Sequence, residues 1–162
     1  MASRRTPGSS PPHGQRGVIS IEYAFLLMFG VLPLLLLTFS GVMIFAAQQS
    51  LALAAGEGAR AALRHGDLGE RRSNACQAAA RSMQWLLNFS GDAANCGDAT
   101  TPPIAVSDAY ACNGGGTARC IQVSVFYDYD QHPFLPGTGN LFGWVLGEGL
   151  RSSAVVQLDD GL

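Results

Sequence analysis

The sequence predicts an α+β fold with a long N-terminal transmembrane helix, a second helix and a small C-terminal antiparallel β-sheet. An apolar run near the N-terminus is long enough to cross a bilayer, and the alanine-rich stretch after it keeps helical spacing. The last third of the chain contains segments in which β-branched and aromatic residues alternate with polar ones, which is typical of strands. The 162 residues leave room for one modest domain.

The first seventeen residues, MASRRTPGSSPPHGQRG, are rich in Pro, Gly and Ser and contain three arginines and no acid. Such a composition cannot form a hydrophobic core and is typical of a disordered segment. By the positive-inside rule this basic segment, residues 1–17, stays in the cytoplasm. We therefore expect everything after Ala47 to be translocated.

The apolar run predicts a transmembrane helix over residues 18–47, in which Glu22 is the only charged residue. A bilayer core takes about 20 apolar residues in a helix, so this run can span it and project beyond it. Pro33 removes one backbone donor, and we expect a kink there. A secretory signal peptide is the alternative, but its apolar region is about 7–15 residues long, and FAAQQ is a poor cleavage site.

Glu22 needs an explanation, because a carboxylate at the centre of a bilayer costs about 2.5–3.5 kcal/mol on insertion scales. Glu22 lies near the cytoplasmic end of the segment, where the cost is smaller, but it still needs a partner. It lies five positions after Gly17 and is followed by Tyr23, in the string GVISIEY. With the basic leader and the long apolar helix, this string resembles the processing site of type IV pilin-like proteins. The resemblance implies that prepilin peptidase cuts between Gly17 and Val18, at the cytoplasmic face, and that Glu22 aligns subunits during assembly.

Cleavage at that point would create an α-amine on Val18, whose unperturbed pKa is about 7.7–8.0. The carboxylate of Glu22 lies about one helical turn further on, so it can meet this amine or the amine of a neighbouring subunit. Pairing lowers the cost of holding either charge in a low dielectric. The alternative is a Glu22 that extends from the membrane interface to water and has no role in assembly.

The Glu-Tyr pair is the form found in the Flp/Tad branch, and the stretch GEGARAALRHGD resembles TadE-like minor pilins or pseudopilins of Tad pilus systems. The proline, Pro33, lies further from Glu22 than in many of those proteins. The resemblance implies a single-pass protein of the bacterial inner membrane, with a cytoplasmic N-terminus and a periplasmic C-terminal part, which enters an extracellular pilus or remains in the membrane. Its implied partners are prepilin peptidase, other pilin and pseudopilin subunits, and the Tad assembly machinery of the inner membrane.

Residues 48–89 are predicted to form the periplasmic helical region, with a break at HGDLGE and a second helix from Glu70 to about Phe89. Residues 90–162 are predicted to form a loop-rich, disulfide-bonded β region. The segment RCIQVSVFYDY predicts a strand over Arg119–Tyr129, and SSAVVQL predicts a final strand over residues 152–158, which we expect to pair with it.

The four cysteines, Cys76, Cys96, Cys112 and Cys120, all lie in the part predicted to be exported, where an even count favours disulfides. Four cysteines allow three connectivities. We favour Cys76–Cys96 with Cys112–Cys120 because both close short loops, each worth on the order of 3 kcal/mol. A zinc site is the alternative, but no Cys-x-x-Cys spacing is present and the chain has only three histidines.

The sequence contains no metalloprotease, nucleophile-elbow or phosphate-loop motif, so we expect no enzymatic activity and no cofactor. Asp128 and Asp130 flank Tyr129, and paired acids can hold calcium or transfer protons, although a solvated strand end is the simpler interpretation. The net charge of −2 without a basic patch argues against a nucleic-acid partner. Two functional alternatives remain: a membrane-anchored periplasmic binding or enzymatic domain, and a type II secretion pseudopilin, which usually carries Phe at the start of its mature chain.

Overall fold

The computed structural model describes residues 16–96, 102–112, 118–139 and 149–158. They form two compact units, one ending at Phe39 and the other beginning at Ser40. The first unit is helical, and the second contains helices and an antiparallel sheet, which confirms the α+β class. Most of the predicted leader, residues 1–15, lies outside the described residues.

The first unit consists of helix α1 (Arg16–Leu26), a π-helical segment (Leu27–Val31) and the start of helix α2 (Leu32–Ala62). The π-helical segment lies just before Pro33, where we expected a kink. A proline ring clashes with the carbonyl four residues earlier in a regular α-helix. Here the backbone is wider, since the amide of Leu32 donates to the carbonyl of Leu27, five residues earlier. The helix therefore accommodates Pro33 through a π-type turn.

In the second unit, α2 is followed by α3 (Leu68–Ser82) and α4 (Gln84–Ser90). The side chain of Asp67 caps α3 by accepting a hydrogen bond of 2.7 Å from the amide of Glu70. The single helix predicted from Glu70 to Phe89 is interrupted at Met83, whose φ of −108° and ψ of 18° are not helical. The hydroxyl of Ser82 donates to the carbonyl of Ala78, a contact that tends to bend helices. The break allows the side chains on both sides of it to reach the core.

The sheet is built on strand β3 (Arg119–Tyr127), with which the other three strands pair antiparallel. Strand β4 (Leu150–Leu158) pairs along its whole length, and the short strands β1 (Ile104–Val106) and β2 (Tyr110–Ala111) pair with parts of it. The predicted pairing of the two late strands is thus confirmed. The sequence did not predict β1 and β2, because three and two residues are too few to show alternation.

The core of the second unit lies between the helices and one face of the sheet. Side chains alternate along β3, where Ile121, Val123 and Val125 are buried and their neighbours Gln122 and Ser124 are half-buried. The buried residues of α2 and α3 are mostly small, among them Ala54, Ala55, Gly58, Ala62, Ala75, Cys76 and Ala79. Small side chains allow the helices to approach the sheet closely.

Gly58 marks the tightest point of this packing. A Cβ atom built on it would lie 2.9 Å from Cγ1 of Val123, 3.1 Å from the carbonyl oxygen of Ala75 and 3.3 Å from Cβ of Ala79. No side chain fits there without displacing α3 or β3. Gly58, the second glycine of the GEGAR stretch, thus permits close packing of α2 against α3 and β3, although it lowers helix propensity.

Candidate functional site

The predicted processing positions, Gly17 and Val18, lie in α1, which begins at Arg16; only their backbone is described. Because this segment is helical, Val18 and Glu22 are four positions apart on one face. Four residues correspond to a rise of about 6 Å along the helix axis. The backbone therefore places the carboxylate of Glu22 about one turn from the nitrogen of Val18.

Glu22 and Tyr23 are both exposed, with 63% of the surface of Tyr23 accessible. Neither side chain makes a hydrogen bond or an ion pair with any residue that the structure describes. A carboxylate in this state is open to a partner from outside its own chain. The lack of a described partner is important because the residues around Glu22 are apolar, and a charge in apolar surroundings is costly without a partner.

Every residue from Ser20 to Phe39 is exposed, although most of them are large and apolar. Twenty helical residues extend about 30 Å, which matches the hydrocarbon core of a bilayer. The helix over Ser20–Ala62 is long and apolar enough to cross a membrane, and its most apolar window is almost entirely exposed, unlike a core helix of a soluble protein. Burial begins at Ser40, so residues 40–47 of the predicted membrane segment belong by their contacts to the second unit.

Two disulfides cross-link the second unit. Cys76, in α3, is bonded to Cys96, which follows α4, and Cys112, after β2, is bonded to Cys120 in β3. Of the three connectivities, this is the one that closes the shorter loops. No thiolate is left for zinc, because all four cysteines are paired. The described residues also contain no group of three or more His, Cys, Asp or Glu side chains that could hold a metal ion.

Of the two acids at the end of β3, Asp128 is a hydrogen-bond acceptor for the backbone. Oδ1 of Asp128 accepts hydrogen bonds from the amides of Asp130 and Gln131, both at 3.1 Å. This arrangement is an Asx turn, and it explains why the strand ends at Tyr127 and not at Tyr129 as predicted. Asp130 is exposed. The pair therefore fits the end of a strand better than a site for calcium or proton transfer.

Tyr127 closes the same turn. Its hydroxyl donates to the carbonyl of His132 at 2.7 Å. Burial, with smaller contributions from Tyr129, Asp92 and Asp128, raises the pKa of Tyr127 from 10.0 to about 12. The phenol therefore stays protonated and keeps donating at neutral pH.

An aromatic cluster is centred on Phe134, which lies in the loop after β3. Its ring lies 5.3–6.0 Å, centroid to centroid, from four other rings: Trp85, Phe89, Tyr127 and Tyr129. Trp85 also donates through Nε1 to the hydroxyl of Ser50 at 2.9 Å. These contacts fix α4 and the loop after β3 to α2.

The structure thus offers a carboxylate that has no partner among the described residues, on an exposed apolar helix next to the predicted processing position. It also offers a second unit, beginning at Ser40 and called the head below, that is cross-linked by two disulfides. These features are the ones on which a functional argument can be built. No protein-family model, no curated protein and no solved structure matches the chain.

Proposed function

We propose that this chain is a TadE-like minor pilin or pseudopilin of the Flp/Tad branch, which takes part in assembling a Tad pilus after prepilin peptidase cuts it behind Gly17. One observation carries the proposal. Glu22, the only charged residue between Val18 and Ala47, lies one helical turn after Val18 in a helical stretch whose side chains are exposed from Ser20 to Phe39. A membrane anchor needs no carboxylate at that position, whereas assembly through an N-terminal amine does.

The energetics support pairing of Glu22 with that amine. Two unit charges about 6 Å apart attract by about 3 kcal/mol at an effective dielectric constant near 20. An unpaired acid costs roughly 2.5–3.5 kcal/mol at the centre of a membrane helix and less near its end, where Glu22 lies, so this attraction is large enough to offset the cost. Pairing with the amine of a neighbouring subunit offsets the same cost and holds two helices in a defined register. Before cleavage no such amine exists, so processing and assembly are coupled.

The rest of the chain is consistent with a cytoplasmic N-terminus and a periplasmic head. The arginines of the leader keep the N-terminus in the cytoplasm, and the disulfide-bonded head belongs to an oxidising compartment, which here is the periplasm. In this proposal the partners are prepilin peptidase, other pilin and pseudopilin subunits, and the Tad machinery of the inner membrane. The head has a structural role and requires no cofactor.

The proposal is tested by measuring how much of the chain is recovered in sheared pili and in membranes when Glu22→Gln is produced in cells that assemble the pilus. Glu70→Gln is the matched control, because it makes the same change at an exposed position in α3 of the head. We expect Glu22→Gln to remain in the membrane, to be processed, and to be lost from pili or from complexes with other pilins. Glu70→Gln should behave like the wild type. Equal incorporation of both variants would contradict a role for Glu22 in assembly.

A further inference from the structure

A cleft between α2 and α3 is lined by three arginines. Its volume is about 330 Å³, and its walls carry Arg60, Arg64 and Arg81 together with Glu57. The remaining lining residues are small: Ala61, Ala78 and Ser82. A small ligand could therefore approach the helix backbones while it contacts the guanidinium groups.

The positive charge in this cleft is largely uncompensated. Glu57 is the only acid among the lining residues, and it is already paired with Arg60 at 2.9 Å. Arg81 donates through Nε to the carbonyl of Gln77, a neutral acceptor on its own helix. The guanidinium group of Arg64 makes no hydrogen bond or ion pair with any described residue, although its backbone amide donates to the carbonyl of Ala61. The lining thus has a net charge of +2, on a chain whose net charge is −2.

Other arginines of the second unit contribute to the fold. Arg72 reaches from α3 to Asp108 and to the carbonyl of Val106, and Arg151 lies over the ring of Phe126. Each of these side chains links two segments of the chain. Arg64 and the terminal nitrogens of Arg81 make no such link among the described residues. Packing therefore does not explain why they converge on one cleft.

We propose that this cleft binds a phosphate-class dianion, either inorganic phosphate or the phosphomonoester of a lipid headgroup. A guanidinium group offers a planar fork of donors that matches two oxygens of phosphate, and such charge-assisted pairs are among the strongest hydrogen bonds in proteins. A phosphomonoester carries a charge of about −1.5 to −2 at pH 7, which matches the +2 of the lining, whereas a single carboxylate would neutralise only half of it. The site goes beyond the proposed function and does not depend on processing or on pilus assembly.

A competing explanation is that these arginines only stabilise helix ends. Arg60 lies in the last turn of α2, Arg64 follows two residues after its end, and Arg81 lies in the last turn of α3, where cations interact favourably with the helix dipole. A dipole role depends on charge alone, so Arg64→Lys would preserve it. A phosphate site depends on the guanidinium fork, so the same substitution would weaken ligand binding.

The test uses the full chain in neutral detergent micelles at low ionic strength, where electrostatic binding is least screened. Inorganic phosphate is titrated by calorimetry, and the melting temperature is compared in phosphate and in chloride of equal ionic strength. In the second arm, phosphatidic acid is added to the micelles and compared with phosphatidylcholine. A specific response to either phosphate source supports the site and identifies the source.

We expect Arg64→Gln to weaken binding about tenfold or more and Arg64→Lys to weaken it severalfold, because a charged hydrogen bond is lost or its geometry is changed. Arg151→Gln removes an arginine outside the cleft and should leave affinity within about twofold of the wild type. Absence of a response to both phosphate sources would overturn the proposal. So would equal affinities of Arg64→Gln and Arg151→Gln. Neither result would bear on the assembly role of Glu22, which is measured in pili.

Discussion

Replacing Gly58 with alanine should destabilise the head, although alanine is the better helix former. The added Cβ would lie 2.9 Å from Cγ1 of Val123 and 3.1 Å from the carbonyl oxygen of Ala75. Neither atom can move easily, because Val123 is a buried β-branched residue and the carbonyl belongs to the backbone of α3. Overpacking of this kind costs about 1–3 kcal/mol, and the gain in helix propensity returns about 1 kcal/mol. The expected net loss is therefore up to about 2 kcal/mol, with a midpoint near 1 kcal/mol.

Gly56 provides the matched control, since it lies in the same helix and a Cβ there would meet no atom within 4 Å. Gly56→Ala should therefore raise the free energy of unfolding by about 0.5–1 kcal/mol. The assay is equilibrium unfolding of the full chain in urea and micelles, with the disulfides intact, followed by near-UV circular dichroism. The two variants should differ by about 2 kcal/mol and in sign. A Gly58→Ala protein as stable as Gly56→Ala would refute the close packing of α2 against the sheet.

Two further predictions concern the head. Replacing both Cys76 and Cys96 with alanine should lower the free energy of unfolding by about 3.3 kcal/mol, and replacing both Cys112 and Cys120 should lower it by about 2.5 kcal/mol, because the first pair closes the longer loop. Urea unfolding of the two double variants measures which loss is larger. A larger loss for Cys112 and Cys120 would contradict the prediction. The pKa of Tyr127 is about 12 in the folded chain, against an ordinary value of 10.0, so the unfolded chain loses this proton at lower pH. The free energy of unfolding should therefore fall by up to about 2–3 kcal/mol as pH rises from 10 to 12. Unfolding measured at both ends of that range should show a smaller fall in Tyr127→Phe, and an equal fall in both proteins would contradict the assignment.

Patterns that depend on neighbours in the sequence predicted the fold well. The apolar run near Glu22 predicted a helix whose side chains the structure leaves exposed, and alternation predicted strand β3 and its pairing with β4. Loop length alone favoured the disulfide pairs Cys76–Cys96 and Cys112–Cys120, which are present in the structure. In each case the signal is local or depends on a short separation along the chain.

Features that depend on tertiary contacts were not predictable. The break at Met83 accompanies a side-chain hydrogen bond of Ser82 and the burial of Leu86 in the core. Neither contact leaves a pattern in the sequence. The packing role of Gly58 leaves no local pattern either, because its close contact is with Val123, in a strand far along the chain. The aromatic contacts of Phe134 likewise join segments that are distant in sequence.

The arginine cleft illustrates the same limit at the level of function. The chain is acidic and has no basic run, and the sequence does not indicate that Arg60, Arg64 and Arg81 lie close together. Folding of α3 against α2 brings them to one cavity. Helical periodicity could have placed Arg60 and Arg64 on one face of a continued helix, but the contribution of Arg81 required the packing of the two helices.

The N-terminus of the membrane-extracted chain is the most direct test of the central claim. Intact-mass and N-terminal peptide analysis would compare cells with and without prepilin peptidase, with Gly17→Leu as a variant of the processing position. The account predicts a chain that begins at Val18 only when the peptidase is present and Gly17 is intact. A chain that keeps its leader in all cells, or one cut near Ala47, would contradict the account and leave Glu22 without a partner amine.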